Sequence, residues 1–475
     1  MVKSYYRQVI LVTLLFLIML SCQQAPVHKE VVLREEDMPI DRFIIAKMYD
    51  AGFPQGDSNY KCLYKASDGK FYYAICCHRT DTHTQMYTFD PQTKIVKHLA
   101  DVGEIVGEKG KRSIPQGKIH VNIFEHKGKL YTSTHIGYYK PASEIEEPGT
   151  SEGYLPYPGG HFISYDLKAG KFEDLAKAPI EEGIITMTMD KQRERLYGLT
   201  WPSGIFITYD IPTKKFSNYG PVFGKGERGS KAAGEYMVLS RSFGLDPRDG
   251  DVYWSNTKGE IWAYRYDTNK VEMVKGCNLN LSIFGEIGMW RSIVWYPKEN
   301  VFYAVHISSS YLFRFDPIKE TIEPLEQICP AVYKGKINTE HPTQMPGASL
   351  AYHLGPDGDT IYYFCFGPSL ITKSGRKIRN TLHFVTYNIP TRTYCDHGII
   401  RLGDGRYPFY AQAVEEHDGM IYTVPWIDVP NDGSKRFEEI ATAHHRNIAV
   451  DPNAPVYEIN LISFPDPYLK GKSLK

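Results

Sequence analysis

One short phrase returns along this chain: an aromatic-rich strand ending in Tyr/Phe-Asp, then a turn, then Lys. It reads Tyr87-Thr88-Phe89-Asp90-Pro91-Gln92-Thr93-Lys94, and then Ile163-Ser164-Tyr165-Asp166 followed by Lys168 and Lys171. It returns as Ile207-Thr208-Tyr209-Asp210-Ile211-Pro212-Thr213-Lys214, as Tyr264-Arg265-Tyr266-Asp267-Thr268-Asn269-Lys270 and as Phe313-Arg314-Phe315-Asp316-Pro317. A weaker copy is Val385-Thr386-Tyr387-Asn388-Ile389-Pro390-Thr391. A repeat at intervals of roughly 40–75 residues, built from strand and turn signals with no helical period, predicts a radial array of small sheets.

Each repeat extends backwards into a hairpin. The hairpin turns are Ser67-Asp68-Gly69, His126-Lys127-Gly128, Lys191-Gln192-Arg193, Arg248-Asp249-Gly250, Lys298-Glu299-Asn300, Asp357-Gly358-Asp359 and His417-Asp418-Gly419. Asp-Gly between alternating strands is a strong hairpin signal. Seven such hairpins predict an all-β, seven-bladed β-propeller with about four antiparallel strands per blade. The blades begin near Tyr60, His120, Ile185, Arg241, Arg291, Ala348 and Ala411. The last has a hairpin and one further strand, 455–461, but no fourth; Phe43-Ile44-Ile45-Ala46 near the start is expected to supply it and close the ring. Residues 41–475 read as one propeller domain, because no Pro/Gly/Ser-rich linker divides them.

Composition narrows function less than it narrows the fold. With 55 basic and 55 acidic residues the formal charge is zero, so bulk electrostatics do not point to nucleic acid. The 35 Tyr suit exposed strands and sugar-binding surfaces alike. Seven cysteines after Cys22 (Cys62, Cys76, Cys77, Cys277, Cys329, Cys365 and Cys395) show neither C-x-x-C nor zinc spacing, and read as buried thiols with at most one or two disulfides.

The first residues are expected to lie outside the fold. Lys3 and Arg7 precede an apolar run from Val9 to Leu20, and Ser21-Cys22 ends it. That is the pattern of a secretory signal over 1–21, too short for a comfortable membrane span. A small residue before Cys, after Ile18-Met19-Leu20, resembles the bacterial lipobox, which implies lipidation of Cys22. Gln23-Gln24 after it suits outer-membrane sorting, and 23–40 read as a tether.

In a propeller, the loops that lead into each innermost strand and out of the second strand share one face. The lead-in positions are Tyr60, His120, Ile185, Arg241, Arg291, Ala348 and Ala411; the exits are Cys76, His135, Trp201, Thr257, Ile307, Phe366 and Trp426. His78 and His306 lie beside this second column. Structural positions should look alike from blade to blade, and these do not, whereas the opposite turns are uniformly Asp, Gly and Lys. The rim with the unlike residues is therefore the candidate site.

His120 and His135 bracket one hairpin and are expected to approach each other, as a proton-transfer pair, a charge-neutralising pair or two ligands of a divalent metal; no third ligand is identifiable. Arg241 and Arg291 occupy equivalent places, fitting either a structural arginine repeated between blades or a fork for a carboxylate or sulfate. Trp201, Trp426 and Tyr60 offer flat faces for sugar rings. Tyr138, Tyr139 and His161 border an insertion, 140–160, of the sort that forms a lid or substrate wall; His306 is a further binding candidate. There is no G-x-S-x-G, P-loop, dinucleotide fingerprint or H-E-x-x-H. Glu182, Glu235 and Glu286 are the carboxylates available to a glycosidase, each several residues outside the aligned positions.

The N-terminal segment, Gly159-Gly160-His161-Phe162-Ile163-Ser164-Tyr165-Asp166 and Leu196-Tyr197-Gly198-Leu199-Thr200-Trp201-Pro202-Ser203-Gly204 together resemble bacterial propeller lipoproteins of the Bacteroidetes glycan-degradation type. Some seven-bladed propellers are polysaccharide lyases that cleave uronate-containing chains with His, Tyr and Arg. The resemblance implies an exported, lipid-anchored protein whose partner is an acidic glycan. In a β-elimination, Arg241 and Arg291 would hold the carboxylate, His120 or His135 would be the base, and Tyr138, Tyr139 or the other His the acid. The alternatives are a non-catalytic glycan-binding or scaffold propeller, and a glycoside hydrolase using Glu182, Glu235 or Glu286.

Overall fold

All seven hairpin turns form where the sequence places them. Left-handed backbone supplies their curvature: Gly69, Gly250 and Gly358 have φ of 88°, 88° and 67°, and Lys127, Asn300 and Asp418 sit at 49°, 55° and 50°. The computed structural model describes residues 31–138, 153–285, 287–336, 347–445 and 455–472. The proposed signal segment, Cys22, Tyr139 and Glu286 lie outside the described residues. No helix among the described residues is long and apolar enough to cross a membrane.

In blades one, two, three, five and six the repeated phrase ends the third strand, and its Asp or Asn builds the turn to the fourth. Asp90 Oδ1 accepts from the backbone N–H of Gln92 and Thr93 at 2.8 and 3.2 Å, and Asp166 accepts likewise from Lys168 and Ala169 at 3.0 and 2.8 Å. Asp210 and Asp316 repeat this, and Asn388 does it in the weaker copy, accepting from Thr391 N at 3.1 Å. A side chain that satisfies turn amides stabilises the turn locally. The residue that follows takes positive φ in Lys94, Lys214, Asn269, Glu320 and Arg392.

Five blades are consecutive four-stranded antiparallel sheets. Blade one is Leu63–Lys65, Phe71–Ile75, Gln85–Asp90 and Ile95–Asp101; blade two is Phe124–His126, Lys129–Ser133, His161–Asp166 and Lys171–Lys177. Blade three is Gly183–Asp190, Arg195–Trp201, Ile205–Asp210 and Lys215–Pro221; blade four is Gly244–Leu245, Val252–Ser255, Glu260–Arg265 and Lys270–Asn278. Blade five is Trp290–Tyr296, Val301–His306, Tyr311–Asp316 and Thr321–Gln327. Blade six uses Ala348–Leu354, Thr360–Phe366, Leu382–Asn388 and Thr393–Leu402, with the hairpin Ser369–Ile371/Lys377–Ile378 inserted.

Blade seven differs from expectation. Its third strand is Leu461–Pro465, not 455–461; Tyr457–Ile459 instead joins Pro408–Tyr410 and Trp426–Asp428 in a separate three-stranded sheet. The closing strand, Phe43–Tyr49, is split between two blades. Phe43–Ala46, the segment expected to close blade seven, pairs in parallel with Ile399–Leu402 of blade six. Lys47–Tyr49 pairs antiparallel with Leu461–Ser463 and is the fourth strand of blade seven. The expected tether is also part of the fold from Val32 onward. Val32–Arg34 pairs with Ser369–Ile371, and Glu35 is buried, accepting from Lys373 N at 3.0 Å.

Closure is reinforced by side chains. The Tyr49 ring packs on Phe89 of blade one at 4.4 Å between centroids, and its hydroxyl meets Ser463 Oγ of blade seven at 3.1 Å. Truncating a buried aromatic of this kind typically costs 3–5 kcal/mol. Tyr49→Ala should therefore lower unfolding free energy in denaturant melts by about 3 kcal/mol; a loss within error of zero would show that closure does not depend on this strand.

Candidate functional site

β-Bulges at the inner rim turn the repeated blades into a set of unlike positions. In blade three, Ile184 faces Thr200 and Thr186 faces Leu199, so Ile185 is skipped. In blade five, Trp290 faces His306 and Ser292 faces Val305, so Arg291 is skipped. A bulged residue leaves the ladder and is re-aimed. The freed Ile185 carbonyl lies 3.0 Å from His120 Nδ1, and Arg291 is redirected to the wall of the large cavity on this face.

A carbonyl can only accept, so His120 carries its proton on Nδ1 and leaves the Nε2 lone pair without a protein partner among the described residues. Burial first, then the Arg241 and Lys118 charges, push the His120 pKa well below 6.5. It is a neutral imidazole of fixed tautomer. His135 is 6.0 Å from it between ring centroids, so the two histidines do approach. Burial and the charges of Lys118 and Arg241 also hold His135 neutral. It fits only because residue 183 is glycine, where a Cβ would lie 2.3 Å from His135 Nδ1.

The rings form a continuous arc. Trp201 meets His135 at 5.8 Å, His120 meets Tyr60 at 4.2 Å, Tyr60 meets Trp426 at 6.2 Å, and Trp426 meets Tyr410 at 4.7 Å. Tyr410 stacks in turn on Phe366 at 4.6 Å. Blades one, two, three, six and seven each contribute.

Cations crowd the same space. Arg241 Nη1 pairs with Glu227 Oε1 at 2.7 Å, and the buried Glu227 also accepts from Trp201 Nε1 at 2.8 Å and Leu239 N at 2.9 Å. Burial is the largest single influence on Glu227 and opposes its ionisation, but the Arg241 charge together with the hydrogen bonds from Arg241, Leu239 and Trp201 outweighs it and holds the carboxyl below its usual range. Arg291 hydrogen-bonds Tyr410, but its buried Nε has no partner among the described residues. Lys61, half-buried and hydrogen-bonded to Ser242 Oγ, is pushed down to about 7 by burial and by the Arg291 charge. Lys118, its Nζ 5.4 Å from the Tyr60 ring centre, is pushed down to about 8, chiefly by burial. Asp57 sits on His78, with Oδ1 2.7 Å from Nδ1.

Thus His120, His135, Tyr60, Trp201, Arg241, Arg291 and Trp426 come together. Other candidates are engaged elsewhere. His161 bridges Asp174 and Glu108 at 2.9 and 3.2 Å; Asp174 stands on the outer strand of the same blade, opposite Ile163, two residues along from His161. His306 is buried under Phe284, stacked at 4.8 Å, with Nδ1 at 2.9 Å from Ser309 Oγ. Tyr138 packs half-buried on the apolar cluster around Tyr157 and Leu199. Glu182 accepts from Thr200 Oγ1 and Ser203 N at 2.6 and 3.3 Å, and Glu235 is ion-paired to Lys225 at 2.8 Å.

Lys61, Lys118 and Tyr410 were missed, although each lies within two residues of an aligned lead-in position. Glu227 had no sequence signal, since it comes from a loop excursion outside the repeat. Among the described residues no group of three His, Cys, Asp or Glu side chains is placed to hold a metal ion. The His pair offers two ligands at most.

No known protein family matches the chain, and no curated protein matches it in sequence. Solved structures match the chain path at low identity. A protein from Lactobacillus plantarum is 13% identical with a TM-score of 0.48, over 77% of this chain and 93% of that one. The β-propeller domain of Cps50 (Swd1) from Myceliophteria thermophila is 9% identical with a TM-score of 0.47, over 78% and 94%. Likenesses at this level assign no activity.

The crowded cations have a cost that can be measured. At an effective dielectric near 20, like charges a few ångströms apart repel by roughly 2–4 kcal/mol. Lys61→Met should raise the melting temperature at pH 6. The advantage should shrink as pH rises from about 7, where folded Lys61 loses its proton while an unfolded lysine keeps it to 10.5. Glu227→Ala, which strips Arg241 of its buried partner, should cost about 3 kcal/mol; a neutral Glu227→Ala would contradict the assigned charge balance.

Proposed function

We propose that this protein binds an acidic, uronate-containing saccharide at the channel mouth and cleaves it by β-elimination. The observation that carries the reading is a neutral, tautomer-fixed His120 set among Arg241, Arg291 and Lys61 within an arc of aromatic rings. Guanidinium groups neutralise a carboxylate and make the neighbouring C–H acidic, while aromatic faces receive the apolar sides of sugar rings. A hydrolase working through paired carboxylates has less support, because Glu182, Glu227 and Asp57 are each committed to local partners.

In the proposed step, Arg241 and Arg291 hold the uronate carboxylate. His120 Nε2 takes the proton from the carbon beside it, and those electrons form a carbon–carbon double bond as the glycosidic C–O bond breaks. The Lys61 ammonium gives its proton to the leaving oxygen; a group titrating near 7 is well matched to that task. Lys61 takes the part expected of Tyr138, Tyr139 or the second histidine: Tyr138 is engaged by the apolar cluster around Tyr157 and Leu199, and His135 is held neutral. Export and anchoring through Cys22 belong to the same proposal, resting on the N-terminal sequence.

With a panel of uronate glycans, the wild type should release unsaturated products, detected by ultraviolet absorbance. His120→Ala should lose at least about 100-fold in kcat while keeping binding, and Arg291→Ala should weaken binding about tenfold or more. Binding with no unsaturated product would remove the elimination step and leave the anion site; no binding by any acidic glycan would remove both. Affinity for the acidic ligand should also fall as pH rises through about 7 and 8, where Lys61 and Lys118 lose their protons. Calorimetry showing a pH-independent affinity from 6 to 9 would contradict the cationic site.

A further inference from the structure

The channel site opens into a cleft far larger than one sugar needs. Its volume is about 1150 Å³, against roughly 300–1,000 Å³ for ordinary small-ligand pockets. Arg291, Tyr410 and Trp426 line it, so it is continuous with the site described above. Two walls of the cleft come from insertions that the repeat does not require: the blade-six hairpin at 369–378, and the helix Lys435–His445.

Both insertions are fixed in place. The hairpin is backed by the Val32–Arg34 strand, and Arg376 is salt-bridged to Asp428 across the cleft. Arg436 ties the helix to Asp50 at 2.6 Å and to Glu458, while Arg79 Nη1 donates to Ala443 O at 3.2 Å. Walls held by this many cross-links form a built surface.

The charge in the cleft is uneven. Asp428 is consumed by Arg376, and Glu438 on the helix is the other lining carboxylate. Arg379 is exposed along the cleft, makes no ion pair among the described residues, and lies close enough to Tyr410 and Tyr457 for its charge to favour their ionisation. An exposed arginine beside aromatic rings is suited to a second acidic group carried on a sugar whose apolar face lies against those rings.

The geometry points to a second anion-recognition position at Arg379, so that the ligand is a chain of acidic sugars running from Arg291 across Tyr410 and Trp426 into the cleft. This rests on the reading that the channel mouth takes an acidic saccharide. It adds that neighbouring residues of the same chain carry acid groups and that affinity is gained with length.

The test is calorimetric titration in a His120→Ala background, so that no ligand is consumed, with disaccharides and hexasaccharides of galacturonate, of mannuronate and of a glucuronate glycosaminoglycan. One series should bind about tenfold or more tighter as the hexasaccharide than as the disaccharide. Arg379→Ala should erase that gain and leave the disaccharide unchanged, Arg379→Lys should recover part of it, and Arg291→Ala should weaken both lengths. If Arg379→Ala keeps the full length dependence while Arg291→Ala weakens both, the cleft proposal is overturned and the channel reading stands. If none of the glycans binds to the protein carrying Arg291 and Arg379, both fall.

Discussion

Everything on the candidate rim depends on how the ring is closed. Seven sheets with short inner strands define a channel only if the last is tied to the first, and a sequence read from its first hairpin leaves blade seven one strand short. The strand Phe43–Tyr49 solves this by serving two masters in succession, running parallel to blade six and then antiparallel to blade seven. Tyr49 then reaches across to Phe89 of blade one. A closed ring removes exposed strand edges at the seam. It also fixes the distances between side chains that come from different blades: Tyr60 from the first, His120 from the second, Trp201 from the third, Arg241 from the fourth, Arg291 from the fifth and Trp426 from the seventh.

On that frame, bulges re-aim the groups of the candidate site. A regular inner strand would bury Ile185 O in its ladder and keep Arg291 alternating with its neighbours. Skipping those two residues frees one carbonyl to set the His120 tautomer and one guanidinium to reach the cavity. The resulting cluster is electrostatically expensive, with Lys61, Lys118, Arg241 and Arg291 gathered around the buried carboxylates of Glu227 and Asp57, the second already paired with His78. Depressed lysine pKa values and an Arg291 Nε without a partner among the described residues are the signs of that expense. An anionic ligand would relieve it, which is the physical reason for reading the site as an anion site.

The sequence disclosed most of the scaffold because turn chemistry is local. Asp90, Asp166, Asp210 and Asp316 recur because each satisfies its own turn amides, and that requirement is written within four residues. The alignment they provide brought out His120, His135, Arg241, Arg291, Trp201 and Trp426. It could not bring out Glu227, whose loop lies between blades and whose partner is defined only in space. Nor could it show that Phe43–Ala46 prefers blade six, since the apolar pattern of a strand does not say which edge it will meet. His161 and His306 looked like rim residues by position, but their imidazoles found partners on neighbouring strands and rings.

The most direct test of the account is a crystal structure of the His120→Ala protein with an acidic oligosaccharide bound. The account predicts a uronate carboxylate within hydrogen-bonding distance of the Arg241 or Arg291 guanidinium, its C–H directed at the space vacated by the imidazole, and a sugar ring flat against Trp426. A ligand bound elsewhere, with the Arg241, Arg291 and Lys61 side chains untouched, would contradict it.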